Sequence, residues 1–379
     1  MTQAYTPGLK VTERMVLHKS RTMPLKGDVL VKVGDKVKAE DIVAKTELPG
    51  GIHIINVMNI LGCEAKEVPE YMLKKEGDQI TEGEIIAETK PLLPFLKFMA
   101  AKVKSPINGS IERISSITGQ VLLREPPLPV TIKAYIDGKI SKVIPQEGVV
   151  VETICSFVQG IFGIGGETNG ELLIAVSKPS DELNPDAITA AHAGKILVCG
   201  RYVDIEVFKR ARTLGVKGLI AGGFGDKDLK ELLGYDLGVA ITGHENIGLT
   251  LVVTEGFGRI AMAQKTFSLL KEREGLRTSI SGATQIRAGV IRPEIIIPLD
   301  AKAAAESVKP QAHAAGGVKE GDPVRIIREP NFGRLAKVKR LIPDLMVVES
   351  ETKVRVMEVE FDDGTAFIVP RANIEIIED

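Results

Sequence analysis

The stretch VLVKVGDKVKAEDIVAKTE at residues 29–47 returns forty-three positions later as MLKKEGDQITEGEIIAETK at 72–90, and the second copy runs on into VKSPINGSIERISSITGQVLL at 103–123. Each copy enters a Gly-Asp pair, Gly34-Asp35 and Gly77-Asp78, where glycine supplies a positive φ and aspartate bonds its own backbone. Alternating apolar residues then resume, so that Val37, Ile42 and Ala44 match Ile80, Ile85 and Ala87. The pattern predicts two hairpins facing one core. Neither hairpin buries enough apolar surface alone, and pairing the copies supplies the rest.

A second echo links VKSPINGSIERISSITGQVLL to IKAYIDGKISKVIPQEGVVVE at 132–152, with Asn108-Gly109 matching Asp137-Gly138 and Gly119 matching Gly148. Asn-Gly and Asp-Gly are strong two-residue hairpin signals, so the all-β region is expected to continue to residue 152. REPPLP at 124–129 cannot run through a central strand and should form a corner. This repeat resembles the barrel-sandwich hybrid of lipoyl and biotinyl carrier modules. HKSRTMPLKGDVLVKVGDKVKAEDIVAKTE with KVKSPINGSIERI is similar to the N-terminal barrel-sandwich domain of the RnfC subunit of membrane-associated electron-transfer complexes, over residues 17–123. The RnfC family continues into a flavin- and nicotinamide-binding fold and cysteine motifs for iron-sulfur clusters. Here the cysteine motifs are missing and GIFGIGGETNGE at 160–171 does not match the nucleotide loop, so the resemblance implies the fold alone. Carrier modules present a lysine at a tight hairpin tip between characteristic neighbours. The corresponding segment, ETKPLLPFLKFMAAKVKSP, offers Lys90, Lys97 and Lys102 outside any such tetrad. Its residues Leu93, Phe95, Leu96, Phe98 and Met99 make it an apolar loop suited to docking on another domain or chain.

Composition narrows the classes. A net charge of -1 and 44% hydrophobic residues in 379 indicate a soluble multidomain chain without a global basic excess for nucleic acid. No apolar run reaches the length of a membrane span, and the first residues lack a secretory core, so a cytoplasmic location is expected. Cys63, Cys155 and Cys199 have neither metal-ligand nor disulfide spacing and read as small buried residues; no metal or cofactor is expected.

Between about 170 and 300, β runs (ELLIAVS, KILVCG, VKGLIAGG, LGVAITG, LTLVVTEG) alternate with helical ones (IEVFKRARTLG, DKDLKELLG, AMAQKTFSLLKERE), the pattern of an α/β layer domain. KILVCG and GLIAGG are apolar throughout, as in strands buried on both faces. GKILVCGRYVDIEVFKRARTLGVKGLIAGG resembles the core of protease-associated and related swivelling domains, which implies a docking or lid module. The tail, EGDPVRIIREPNFGRLAKVKRL and KVRVMEVEFDDGTAFIVPRANIEII, fits five short strands with turns at Gly321-Asp322 and Asp363-Gly364. It resembles the KOW-type SH3-like barrel of transcription elongation and ribosomal proteins over residues 320–378, which implies contact with RNA, ribosomes or polymerase, or protein docking. The fold class is therefore mixed and multidomain: a barrel-sandwich hybrid with an extra β repeat (1–152), an α/β domain (153–300), a linker (301–319) and an SH3-like barrel (320–379).

Two spots could hold a ligand. Glycines including Gly163, Gly165 and Gly166 suit either a backbone nest for an anion or a tightly packed loop. Thr242, His244 and Glu245 follow an apolar strand, at the edge where α/β sheets bind ligands, with Glu255 as a neighbour for His244. Arg287 and Arg292 suit an acidic ligand or ion pairs with glutamates. In the tail, Arg325, Arg328, Arg334, Lys337, Lys339 and Arg340 are the exposed candidates for RNA phosphates or a partner, diluted by Glu329, Asp344, Glu349, Glu351, Asp362 and Asp363. Phe332 and Phe367 could stack on bases or fill the core. No catalytic residue stands out. Three functions remain: a non-catalytic scaffold docking a protein partner or a second copy; a factor contacting RNA, the ribosome or the transcription apparatus; and an enzyme or carrier using the α/β domain.

Overall fold

The Gly-Asp pairs of the repeat form matching turns in the computed structural model, with φ of 98° at Gly34 and 89° at Gly77. Each aspartate carboxylate accepts the backbone N–H three residues earlier, Asp35 from Lys32 at 2.8 Å and Asp78 from Lys75 at 2.7 Å. Asp322 does the same with Lys319 in the C-terminal region. The structure describes residues 9–89, 100–233, 242–243, 245, 247–285, 291–299, 318–326, 331, 334–347, 353–361 and 363–376.

The N-terminal strands are β1 (Val11–Thr22), β2 (Asp28–Val29), β3 (Lys36–Val37), β4 (Ile42–Leu48), β5 (Ile52–Asn56), β6 (Gln79–Ile80) and β7 (Ile85–Glu88). They continue as β8 (Lys102–Lys104), β9 (Gly109–Ile114), β10 (Gln120–Arg124), β11 (Leu128–Lys133), β12 (Gly138–Ile144) and β13 (Gly148–Gln159). The corner expected at REPPLP lies between β10 and β11, with Pro129 in β11 at the edge of its sheet.

The two copies do not share a core. The first closes on the second echo, β3 pairing with β12 and β4 with β11, while the second closes on the segment that follows it, β6 with β9 and β7 with β8. Matched hydrogen bonds show that each copy and its echo make one complete β unit. Gly34 N–H donates to Ile140 O as Gly77 does to Ile111 O, and Ala134 N–H donates to Asp41 O as Ser105 does to Glu84 O. Asp137 Oδ1 accepts from Ala39 N–H at 2.7 Å, and Asn108 Oδ1 from Glu82 N–H at 2.9 Å. In each unit that side-chain acceptor comes from the segment on which the copy closes. These Asn-Gly and Asp-Gly pairs are thus not hairpin turns. They lead from a strand of one sheet to a strand of another.

The first unit packs around Val37, Val43, Ile136, Ile140 and Val151; the second packs around Ile80, Ile86, Val103, Ile111 and Leu123. Ile42, expected inside, is 45% exposed, and its neighbour Val43 is the core residue. The second unit, β5 to β10, is inserted between β4 and β11 of the first. Gly138 and Gly109 mark the same close approach: a Cβ would come within 2.4 Å of Glu152 O and 1.9 Å of Arg124 O.

Residue 152, where the all-β region was expected to stop, lies inside β13, which runs on to pair with β1 and with a strand of the central sheet. That part comprises β14 (Phe162–Ile164), β15 (Glu167–Ile174), β16 (Lys195–Val198), β17 (Tyr202–Val203), β18 (Gly218–Phe224), β19 (Thr250–Phe257), β20 (Arg277–Ser281) and β21 (Glu294–Pro298). β15, β16, β18 and β19 lie side by side and parallel, as the α/β alternation predicts, and antiparallel strands continue the sheet through β20 and β21 to β13. Besides two short helices of the second unit, α1 (Val57–Leu61) and α2 (Val68–Tyr71), the described α-helices are α3 (Ile205–Thr213), α4 (Asp226–Leu233) and α5 (Gln264–Glu272). α3 begins where Asp204 accepts Val207 N–H at 2.8 Å and stops before Gly215, whose φ is 74°. Val207, Phe208 and Ala211 of α3 pack into one core layer and Phe267, Leu269 and Leu270 of α5 into another.

The first β unit is fastened to this sheet by a bidentate Arg21–Glu167 pair at 2.7 Å, by Asn169 donating to Glu40 at 2.6 Å, and by Ser279 Oγ donating to Tyr135 O at 2.6 Å. Tyr135 is buried and left-handed, with φ 70°, and the cations of Lys19 and Arg21 lie over its ring. The C-terminal strands β22 (Pro323–Ile326), β23 (Leu335–Val347), β24 (Lys353–Phe361), β25 (Ala366–Pro370) and β26 (Ile374–Ile376) form one antiparallel sheet in the order β25-β24-β23-β22-β26. Overall the chain is mostly β and consists of several sheets.

Candidate interaction surfaces

The fold brings the two expected ligand spots together. Thr242 Oγ1 donates to Gly163 O at 2.8 Å, and Thr284 Oγ1 accepts Gly163 N–H at 2.9 Å. Thr242 N–H donates to Thr284 O at 2.9 Å, so two buried threonines tie the glycine strand to the segment after β20. The Glu245 carboxylate accepts Gly165 N–H at 3.1 Å and Gly243 N–H at 2.8 Å. Two backbone amides, one from the glycine segment and one after Thr242, thus meet at the chain's own glutamate side chain. Gly163 is a packing glycine, because a Cβ would lie 2.8 Å from both Gly282 Cα and Leu251 O. Gly166 contributes its carbonyl to Thr250 Oγ1 at 2.9 Å. Sequence reasoning missed Thr284 and Gly282, which follow a strand with no periodic signal of their own. His244 lies outside the described residues.

Glu255 is a buried residue of β19. It receives Arg325, the first of the residues expected to be exposed on the tail. Arg325 is 3% exposed, with Nη2 at 2.7 Å from Glu255 Oε2 and Nη1 at 3.6 Å from Glu375 Oε2. Arg292 Nη2 lies 3.1 Å from Glu375 Oε1, and Glu375 is 1% exposed. Arg292 thus takes the ion-pair alternative. Burial pushes the Glu375 carboxyl above the usual carboxylate range, against the pull of the two arginines. The alternation that puts Arg325 on one face of β22 was legible; that this face meets the end of β19 was not.

Of the other basic candidates, Arg334, Lys337, Lys339 and Arg340 are described and reach the surface, and three of them stand beside acidic side chains. Arg334 pairs with Asp363 at 2.9 Å and lies over the Phe361 ring; Lys339 is 3.3 Å from Glu360, and Arg340 is 3.3 Å from Glu358. The Thr365 hydroxyl and N–H, then Arg334, hold the Asp363 carboxyl below its ordinary range. Lys337 is exposed on β23. Phe367 is half-exposed and meets Phe361 edge to face at 5.5 Å. Lys102 lies 3.6 Å from Glu88. Arg287, Arg328 and Phe332, together with Lys90, Lys97 and the apolar loop residues Leu93, Phe95, Leu96, Phe98 and Met99, lie outside the described residues.

Two edge strands carry exposed apolar side chains. β5 ends its sheet and exposes Ile52 and Ile54, and β25 ends the C-terminal sheet and exposes Phe367 and Ile368. Leu345 and Val347 near the end of β23 are also exposed. Among the described residues, no helix is long and apolar enough to cross a membrane, and no group of three or more His, Cys, Asp or Glu residues is arranged to hold a metal ion. The chain matches no protein-family model, and no curated protein shows significant similarity to it.

Proposed function

We propose that the chain is a non-catalytic multidomain scaffold that docks protein partners through its β units and self-associates. The observation that carries this reading is the placing of exposed isoleucines and a phenylalanine on two edge strands, β5 and β25. An edge strand offers unpaired backbone donors and acceptors, and apolar side chains on it favour strand addition by another chain. The glycine and threonine cluster supports the same reading, since its polar groups are engaged with one another and hold Glu245 as an internal anion. In this reading the duplicated units are barrel-sandwich hybrids and the C-terminal sheet is a KOW-type SH3-like barrel serving protein docking. An RNA-binding role gains nothing specific from the tail, where Arg325 is buried and Arg334, Lys339 and Arg340 face carboxylates.

Size-exclusion chromatography with light scattering over a wide concentration range tests the reading. The expected result is a mass that rises to a defined multiple of the 40.9 kDa chain. A strictly monomeric protein at every concentration would remove self-association from it.

A further inference from the structure

The C-terminal sheet carries an apolar core of its own. Val324, Val338, Met357, Val359 and Phe361 pack together with no described residue from before Val318, and neither core layer of the central sheet takes in a residue of these strands. Among the described residues, the hydrogen bonds and ion pairs that join the two parts all belong to one cluster of four charges. Arg325 and Glu375 stand opposite each other on β22 and β26, so the C-terminal sheet presents a cation beside an anion. The central part answers with the opposite signs: Glu255 of β19 lies 2.7 Å from Arg325, and Arg292, just before β21, lies 3.1 Å from Glu375. Arg325, Glu375 and Glu255 are buried there.

We propose that this cluster is a latch, and that the C-terminal sheet swings off the central sheet as a folded unit when the latch is broken. Three observations support it. The core of the C-terminal strands is built from their own side chains, so leaving the central sheet does not dismantle it. Taking charges out of water offsets much of what their pairing gains, and here the compensation is incomplete: Arg325 Nε and both Glu375 carboxylate oxygens are buried with no hydrogen-bond partner among the described residues. Opening returns those atoms to water. Relative motion is also the default for two domains unless a large apolar interface holds them, and the described contacts between these two are charged. The latch is independent of self-association, because both halves of it lie in one chain.

The test uses the full chain and reads the buried carboxylates directly. A carbodiimide with glycine ethyl ester modifies accessible carboxylates, and mass spectrometry gives the rate at Glu375 and Glu255 relative to exposed Glu70. Arg325→Met should raise both relative rates by about tenfold or more, while amide hydrogen exchange in β23 and β24 keeps its wild-type protection. Adding Glu255→Gln should return the Glu375 rate towards wild type, since Arg292 and Glu375 remain as a matched pair. Rates unchanged by Arg325→Met overturn the latch. Faster modification accompanied by lost protection in β23 and β24 overturns the folded unit, because the sheet would then be unfolding rather than swinging. A double variant as open as the single one overturns charge pairing as what holds the sheet in place.

Discussion

Replacing Arg325 with methionine should loosen the C-terminal sheet from the central one. The guanidinium is buried between Glu255, at 2.7 Å, and Glu375, at 3.6 Å. Its removal leaves two buried carboxylates with reduced compensation, for which breaking a buried pair costs about 3–5 kcal/mol. The lower end applies here, because Glu255 keeps the N–H of Ala263 at 3.0 Å and Glu375 keeps Arg292 at 3.1 Å. A loss of about 3 kcal/mol with a urea slope of about 2 kcal/mol/M moves the midpoint down by about 1.5 M. The chain has no tryptophan, so far-UV circular dichroism should follow the transition, with limited proteolysis reading release of the C-terminal sheet. Adding Glu255→Gln should recover most of the loss, since the remaining Arg292 and Glu375 are a matched pair. A midpoint no lower than that of the surface control Lys337→Met, or a double variant as weak as the single one, would refute the argument.

Three further outcomes follow from the same structure. Burial raises the Glu375 carboxyl above its ordinary value of 4.5, so the folded chain holds that proton more tightly than the unfolded one. That contribution is present below the ordinary value and lost as pH rises through the raised one, so wild type should lose stability relative to Glu375→Gln over that window in urea titrations at successive pH values. Gly109→Ala sets a Cβ 1.9 Å from Arg124 O and should cost about 1–3 kcal/mol, read as a lower melting temperature; an unchanged one would contradict the close approach. Burial pushes the Cys155 and Cys199 thiols up to about 12, so iodoacetamide at pH 8 should label Cys63 first and reach the other two only in denaturant, as mass spectrometry would show.

The alternation of strands and helices around KILVCG and GLIAGG was legible because a parallel strand is apolar on both faces and a helix between strands declares itself by period. The Gly-Asp turns were legible because their hydrogen bonds are local: Asp35 and Asp78 reach back only three residues. The choice of partner strands was not. Val37 and Ile80 look equivalent, and they are equivalent, but in two separate cores, each closed by a segment distant from the repeat's own alternation, with Asp137 in one and Asn108 in the other completing the turn. The candidate ligand spots were legible as glycine, threonine and glutamate positions, yet their joining through Thr284 depends on contacts far apart in sequence.

By itself, then, the sequence determined the units: a doubled β module, an α/β stretch and a short β tail, each written in periodicity, turn residues and repetition within a few dozen positions. The tertiary structure decided how they are joined. It made the second module an insertion in the first, carried β13 into the central sheet, turned Arg325 inward against Glu255, and left Ile52 and Ile54 on an open edge. Local patterns act through the backbone of neighbouring residues, whereas burial of a given side chain depends on which distant surface arrives above it, and one strand's alternation cannot tell a face that meets protein from a face that meets water.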